Sequence, residues 1–167
     1  IRPYRKLRFG ANPAADISYR YLGGHLHGST AELTFKAFDR SIRFDWSSSG
    51  AHQAANAAAA AAAAIALGIP PETIAAGLSG CKLPGMRMRI TRRDDDTVWI
   101  NDAYNANPDS MASSLHWLAE FAANSPLLLV LGDMLELGEY SFIGHRQVLE
   151  LAGQLFPNSR IFAVGQQ

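Results

Sequence analysis

Cysteine is nearly missing from this chain: Cys81 stands alone among 167 residues. An internal disulfide is therefore excluded, which suits a reducing, cytoplasmic setting. Neither sign of charge dominates, with 15 Lys and Arg against 15 Asp and Glu. Such a balance supplies no global field to draw in nucleic acid or an anionic membrane, so any phosphate binding must be local. Long apolar runs are lacking too. The best stretch, residues 54–67, is mostly alanine, contains Asn56, and is too short and too weakly apolar to span a bilayer. Residues 1–9 are basic and mixed, unlike a secretory signal. There is no Gly-x-x-x-x-Gly-Lys-Ser/Thr phosphate loop, no metal-ligand spacing and no Ser/His/Asp arrangement. The chain begins without methionine, so a longer parent is expected.

What is present is enough for a real core, since 48% of residues are hydrophobic. The first forty-odd residues read as strands, at 6–9, 17–22 and 31–38, with Ile42, Phe44 and Trp46 continuing the alternation after Asp39-Arg40. Ser47-Ser48-Ser49-Gly50 breaks the pattern and offers N-cap hydroxyls. A helix over 51–67 follows, ended by Gly68, and a second over 72–78 with Pro71 near its first turn. Small side chains from Ala57 to Ala64 let that helix pack closely on its neighbours.

Residues 80–85 form a plausible domain boundary. Beyond them the spacing predicts strands at 86–91 and 97–101, joined by a solvated hairpin turn at Arg93-Asp94-Asp95-Asp96. An amphipathic helix at 108–123 comes next, then a strand buried on both faces at 127–131, a helix at 141–156 and a strand at 160–164. Strand–helix–strand–helix–strand implies a parallel sheet, and a sheet that needs further cover.

Ligands of open parallel sheets sit beyond the C-terminal strand ends. Two polar loops occupy that place: 101–110, carrying Asp102, Asn105, Asn107 and Asp109, and 132–139, carrying Asp133 and Glu136. Asp102 suits ribose hydroxyls. Asn107 and Asp109 are equally suited to capping the helix behind them. Asp102 and Asp133 are expected on adjacent or near-adjacent parallel strands. His52 and Asn56 share a helix face near its N-terminus, where free N–H groups favour polar ligand edges, although such a pair is more often structural. Arg87 and Arg89 are expected on one strand face beside Gly85, where an arginine could reach a phosphate. His145, mid-helix after Gly144, reads as structural.

Several stretches resemble the Mur ligase family, in particular the branch that attaches D-alanyl-D-alanine. They are Asn101-Asp102-Ala103-Tyr104-Asn105-Ala106-Asn107-Pro108-Asp109-Ser110-Met111 and Leu131-Gly132-Asp133-Met134-Leu135-Glu136-Leu137-Gly138. Gly50-Ala51-His52-Gln53-Ala54-Ala55-Asn56, Gly85-Met86-Arg87-Met88 and Arg8-Phe9-Gly10-Ala11-Asn12-Pro13-Ala14-Ala15-Asp16 match in the same order. The resemblance implies an α/β chain. Residues 1–83 would be the end of a central ATPase domain, and 84–167 an incomplete Rossmann-like parallel-sheet domain. It implies adenine contact by Asn56 with His52 beside it, phosphate contact by Arg87, and ribose contact by Asp102. Asn105 would line the ATP site, and Asn107, Asp133 and Glu136 the amino-acid side. Gln53 stands where the family usually has Asn. The implied partners are ATP, magnesium held by ligands outside this stretch, UDP-N-acetylmuramoyl-tripeptide and D-alanyl-D-alanine, with the enzyme a monomer in peptidoglycan biosynthesis. Without a phosphate loop the chain alone is expected to be inactive. The rivals are a sister ligase, such as the one adding the third residue or a folylpolyglutamate type, and a non-catalytic nucleotide-binding module.

Overall fold

The computed structural model describes residues 6–48, 50–82 and 85–166. The chain divides into two compact units, Ile1–Lys82 and Leu83–Gln167.

In the first unit, strands β1 (Phe9–Gly10), β2 (Ile17–His25), β3 (Gly28–Phe35) and β4 (Arg40–Trp46) form one sheet in that order. β1 pairs parallel to β2 and the other pairs are antiparallel, with Ala31 opposite Phe44 and Leu33 opposite Ile42. Period-two alternation puts Ala31, Leu33 and Phe35 on the buried face. Helix α1 (Ala51–Ala66) lies on that face, burying Ala54, Ala57, Ala58, Ala61 and Ala62. Alanine at three- and four-residue spacing brings the helix backbone close to the sheet, while Ile17, Phe35, Phe44 and Trp46 supply the volume. Helix α2 (Pro71–Ser79) completes the layer with Ile74 and Ala75, and Pro71 opens it at the first helical position.

Two expectations need correction in this unit. The strand expected to reach Phe38 stops at Phe35, because residues 36–38 form a 3-10 turn closed by Asp39 at φ 48° and the chain must reverse into β4. The expected serine cap is replaced by Gly50, whose φ of 79° turns the chain into α1 with no side-chain cap. The Ser47 hydroxyl donates instead to the Cys81 carbonyl at 3.0 Å, and Ser48 is buried. Ser49 lies outside the described residues, as do residues 83 and 84 of the expected junction. At Gly28 a Cβ would overlap the Trp46 carbonyl, so only glycine lets β3 and β4 close there.

In the second unit, β5 (Arg89–Arg92) and β6 (Val98–Asn101) make an antiparallel hairpin around an exposed turn. Helix α3 (Pro108–Ala122) follows, then β7 (Leu128–Gly132), α4 (Ser141–Leu155) and β8 (Arg160–Val164). β7 and β8 pair in parallel, Val130 opposite Phe162, as a strand–helix–strand crossover requires. Leu115 of α3, Leu129 of β7 and Val148 and Ala152 of α4 form the core with Met134 and Phe156. The result is a mixed α/β chain with parallel pairing in its second half.

The single parallel sheet expected here is split. β6 bonds to β5 rather than to β7, so Asp102 and Asp133 do not end neighbouring strands of one sheet. The pattern explains why: β6 alternates half-buried Val98 and Ile100 with exposed Trp99 and Asn101, the signature of a half-solvated antiparallel strand. β7 is also not buried on both faces. Leu128 and Val130 are 62% and 63% exposed, because α3 and α4 both pack on the Leu129 side. Arg87 precedes β5 rather than sharing its face with Arg89.

Candidate functional site

The loop leaving β6 is tied back onto the segment before β5. Asp102 accepts the backbone N–H of Met88 on Oδ1 at 3.0 Å, and the Ser114 hydroxyl on Oδ2 at 2.6 Å. Tyr104 donates its backbone N–H to the Met86 carbonyl at 3.2 Å. The Arg87 guanidinium lies over the Tyr104 ring, 4.0 Å from its centroid. Arg87 is thus bracketed, with the residue on each side of it held by the 102–104 loop. Met88 is buried and adopts φ 46°, a left-handed conformation that its bond to Asp102 helps to hold. A guanidinium and a carboxylate, both exposed, therefore share one small region at a strand end. Each Asp102 oxygen keeps a second lone pair for an incoming donor.

Farther along this loop, Asn105 is exposed and its side-chain oxygen accepts the Ala106 N–H at 3.0 Å. Asn107 is the N-cap of α3: it accepts the Ser110 N–H at 2.8 Å, and Ser110 returns a bond to the Asn107 N–H. Its side-chain oxygen is committed to the helix, which leaves the amide NH₂ as its polar edge.

The loop leaving β7 is organised by His145. The Met134 N–H points at His145 Nε2, 2.9 Å away, while Nδ1 lies 2.8 Å from the Ser141 carbonyl. An N–H donating to Nε2 makes that atom the acceptor, which leaves Nδ1 as the donor toward Ser141. The 3.8 Å approach of Asp133 Oδ1 to Nε2 is accordingly not a hydrogen-bonded ion pair. Asp133 Oδ2 instead accepts the Gln166 N–H at 2.7 Å, joining the ends of β7 and β8. A Cβ at Gly165 would overlap that carboxylate, so glycine permits the approach. Gly132, Asp133, Met134, His145, Val164 and Gly165 border a recess of about 130 Å³. Glu136 is exposed at φ 64°.

In the first unit, His52 and Asn56 are both exposed on the first turns of α1. Asn56 donates its amide to Gln53 Oε1 at 3.1 Å, so the residue that departs from the family pattern engages its neighbour. Among the described residues no group of three or more His, Cys, Asp or Glu could hold a metal ion. No helix of the described residues is long and apolar enough to cross a membrane.

Tyr104 and Ser114 were not singled out by the sequence reading as site residues. Ser114 had a signal: it follows the cap at Asn107 and Ser110 at four-residue spacing, which sets a polar line on α3 facing back to the strand end. Tyr104 had none beyond its place in the motif.

Residues 86–164 match the family described as Mur ligase, glutamate ligase domain. Over 119 residues the chain is 40% identical to the UDP-N-acetylmuramoyl-tripeptide--D-alanyl-D-alanine ligase of Bacillus subtilis, covering 70% of this chain and 25% of the relative. It is similar to a crystal structure of MurF from Acinetobacter baumannii, with TM-score 0.80 and 29% identity, over 96% of this chain and 34% of that one. A MurF ligase from Thermotoga maritima in complex with ADP has TM-score 0.73 over 96% of this chain and 39% of that one; at 20% identity it shows the fold alone. The chain spans about a quarter to a third of the first relative and the first structure.

Proposed function

The chain belongs to the Mur ligase family, and we propose that its parent protein is an ATP-dependent ligase joining D-alanyl-D-alanine to UDP-N-acetylmuramoyl-tripeptide in peptidoglycan biosynthesis. The terminal carboxylate of the tripeptide takes the γ-phosphoryl group of ATP, releasing ADP. The dipeptide amine then attacks the acyl phosphate carbon, loses a proton and expels phosphate, leaving an amide. Positioning and charge neutralisation are the protein's tasks in such chemistry.

The reading assigns the first unit to the end of the central domain and the second to the C-terminal domain. His52 and Asn56 face the adenine, Arg87 a phosphate and Asp102 the ribose, with Asn105 beside them. Asn107, Asp133 and Glu136 serve the dipeptide side. Magnesium has no ligand set among the described residues. The cytoplasm and a monomeric state belong to the same proposal. A non-catalytic nucleotide-binding module is the alternative that loss of turnover with retained binding would favour.

The supporting observation is the juxtaposition of Arg87 and Asp102, each pinned while the guanidinium and one lone pair per carboxylate oxygen stay available. Asp102→Asn tests it in the full-length protein. The amide can turn its oxygen to Met88 and its NH₂ to Ser114, whose hydroxyl rotates to accept, so the loop stays fastened. Charge and one ribose acceptor are lost. ATP binding by calorimetry should weaken by about 1–3 kcal/mol, D-alanyl-D-alanine binding should change less, and the melting curve should hold. Unchanged ATP affinity rules the ribose role out.

A further inference from the structure

We propose that Tyr104 is the positioning residue for Arg87, holding its guanidinium where the proposed site needs a cation; this rests on the reading that Arg87 faces the nucleotide. Three observations carry it. Tyr104 is 59% exposed, yet one face of its ring is covered by the guanidinium at 4.0 Å. The same residue's backbone N–H is bonded to the carbonyl of Met86, the neighbour of Arg87, which ties the loop that carries the ring to the segment that carries the guanidinium. Asp102 fixes Met88 on the other side and is itself held by Ser114.

An exposed arginine ordinarily samples many rotamers, and ordering it on ligand arrival costs conformational entropy. A π-face under a planar guanidinium restricts that sampling beforehand while leaving the N–H edges outward. Tyr104 acts without touching substrate. Its effect passes through Arg87, and it depends on the ring rather than the hydroxyl.

Kinetics of the full-length ligase separate this role from a merely structural one. Tyr104→Leu should raise KM for ATP about fivefold while KM for D-alanyl-D-alanine stays within about twofold. Tyr104→Phe, which keeps the ring, should restore ATP KM to within about twofold of the parent. In an Arg87→Ala background, Tyr104→Leu should add less than about twofold, because its route is already removed. An effect of Tyr104→Phe equal to that of Tyr104→Leu, additivity with Arg87→Ala, or no effect of Tyr104→Leu on ATP KM overturns the proposal. If Arg87→Ala leaves ATP KM unchanged, the nucleotide reading of Arg87 fails instead. The stack is then decided separately by NMR of the 167-residue chain. The side-chain signals of Arg87 should be shifted upfield by the ring, keep that shift in Tyr104→Phe and lose it in Tyr104→Leu. Signals indifferent to the leucine change overturn the positioning role.

Discussion

The two units bury their sheets to different degrees. In the first, the face of β3 that meets α1 is closed: Ala31 and Leu33 are fully buried and Phe35 nearly so. In the second, β7 and β8 keep one face against α3 and α4, while Leu128, Val130, Phe162 and Val164 stay more than half exposed. The first unit thus encloses its core more completely. In the second, hydrogen bonds at Asp102, His145 and Asp133 fasten the strand-end loops. The residues proposed to meet ligand are concentrated in that second, less enclosed half. Loops on a scaffold of strands and helices carry function because they can present polar groups that a closed core cannot.

The comparison is broken most directly by cutting into the closed core. Leu33→Ala should destabilise the first unit by about 2–5 kcal/mol, since a buried leucine leaves a cavity in a rigid layer. Urea unfolding with hydrogen exchange resolved by unit checks it, and a loss below about 1 kcal/mol would mean that this core is not the support it looks. His145→Ala comes next. It leaves the buried Met134 N–H without its acceptor and should cost about 1–3 kcal/mol, read as faster amide exchange at Met134 and loss of order in 133–138. Protection unchanged at Met134 would show that the histidine does not hold the loop.

A third substitution sharpens the contrast within one strand. Val130→Ala, on the uncovered face, should change stability by no more than about 0.5 kcal/mol, whereas Leu129→Ala on the covered face should cost several times that. Equal losses at the two sites would mean that the outer face is covered in solution. The smallest effect is expected at the exposed hairpin turn. Asp95 accepts hydrogen bonds from the Thr97 side chain and then its backbone, and these hold its carboxyl below the usual carboxylate range. A depressed carboxyl contributes stability above its unfolded value, and that contribution is lost as pH falls through the folded one. The slight difference in melting temperature between the parent and Asp95→Asn should therefore fade in acid. A difference that grows on acidification contradicts this sign.

Much of the fold was legible because the signals are local. Alternation over 31–35 and 42–46, the alanine run, Gly68 and Pro71 marked strands and helices of the first unit within a few residues. The parallel pairing of β7 with β8 followed from two apolar strands flanking a helix. Less of the candidate site was legible. The motif loops could be placed at strand ends and Asn107 was one of two candidates to cap α3, but no short pattern told which of the other polar side chains would fasten the loop. In the structure Asn107 caps α3, Asn105 bonds its own neighbour, and only Asp102 ties two segments together. The serine cap was misplaced because a glycine at positive φ can start a helix without any hydroxyl.

The sequence by itself determined which residues alternate, where helices start and stop, and which loops are too polar for a core. Those choices are set by side-chain periodicity and backbone preference over a few residues. Tertiary structure alone decided that β6 would not join the sheet of β7 and β8, that one face of the β7–β8 pair would stay open, and that Tyr104 would lie under Arg87. Each of these depends on which segments meet across many residues of chain. Such meetings are chosen by the summed burial and hydrogen bonding of both partners, which no short window of sequence contains.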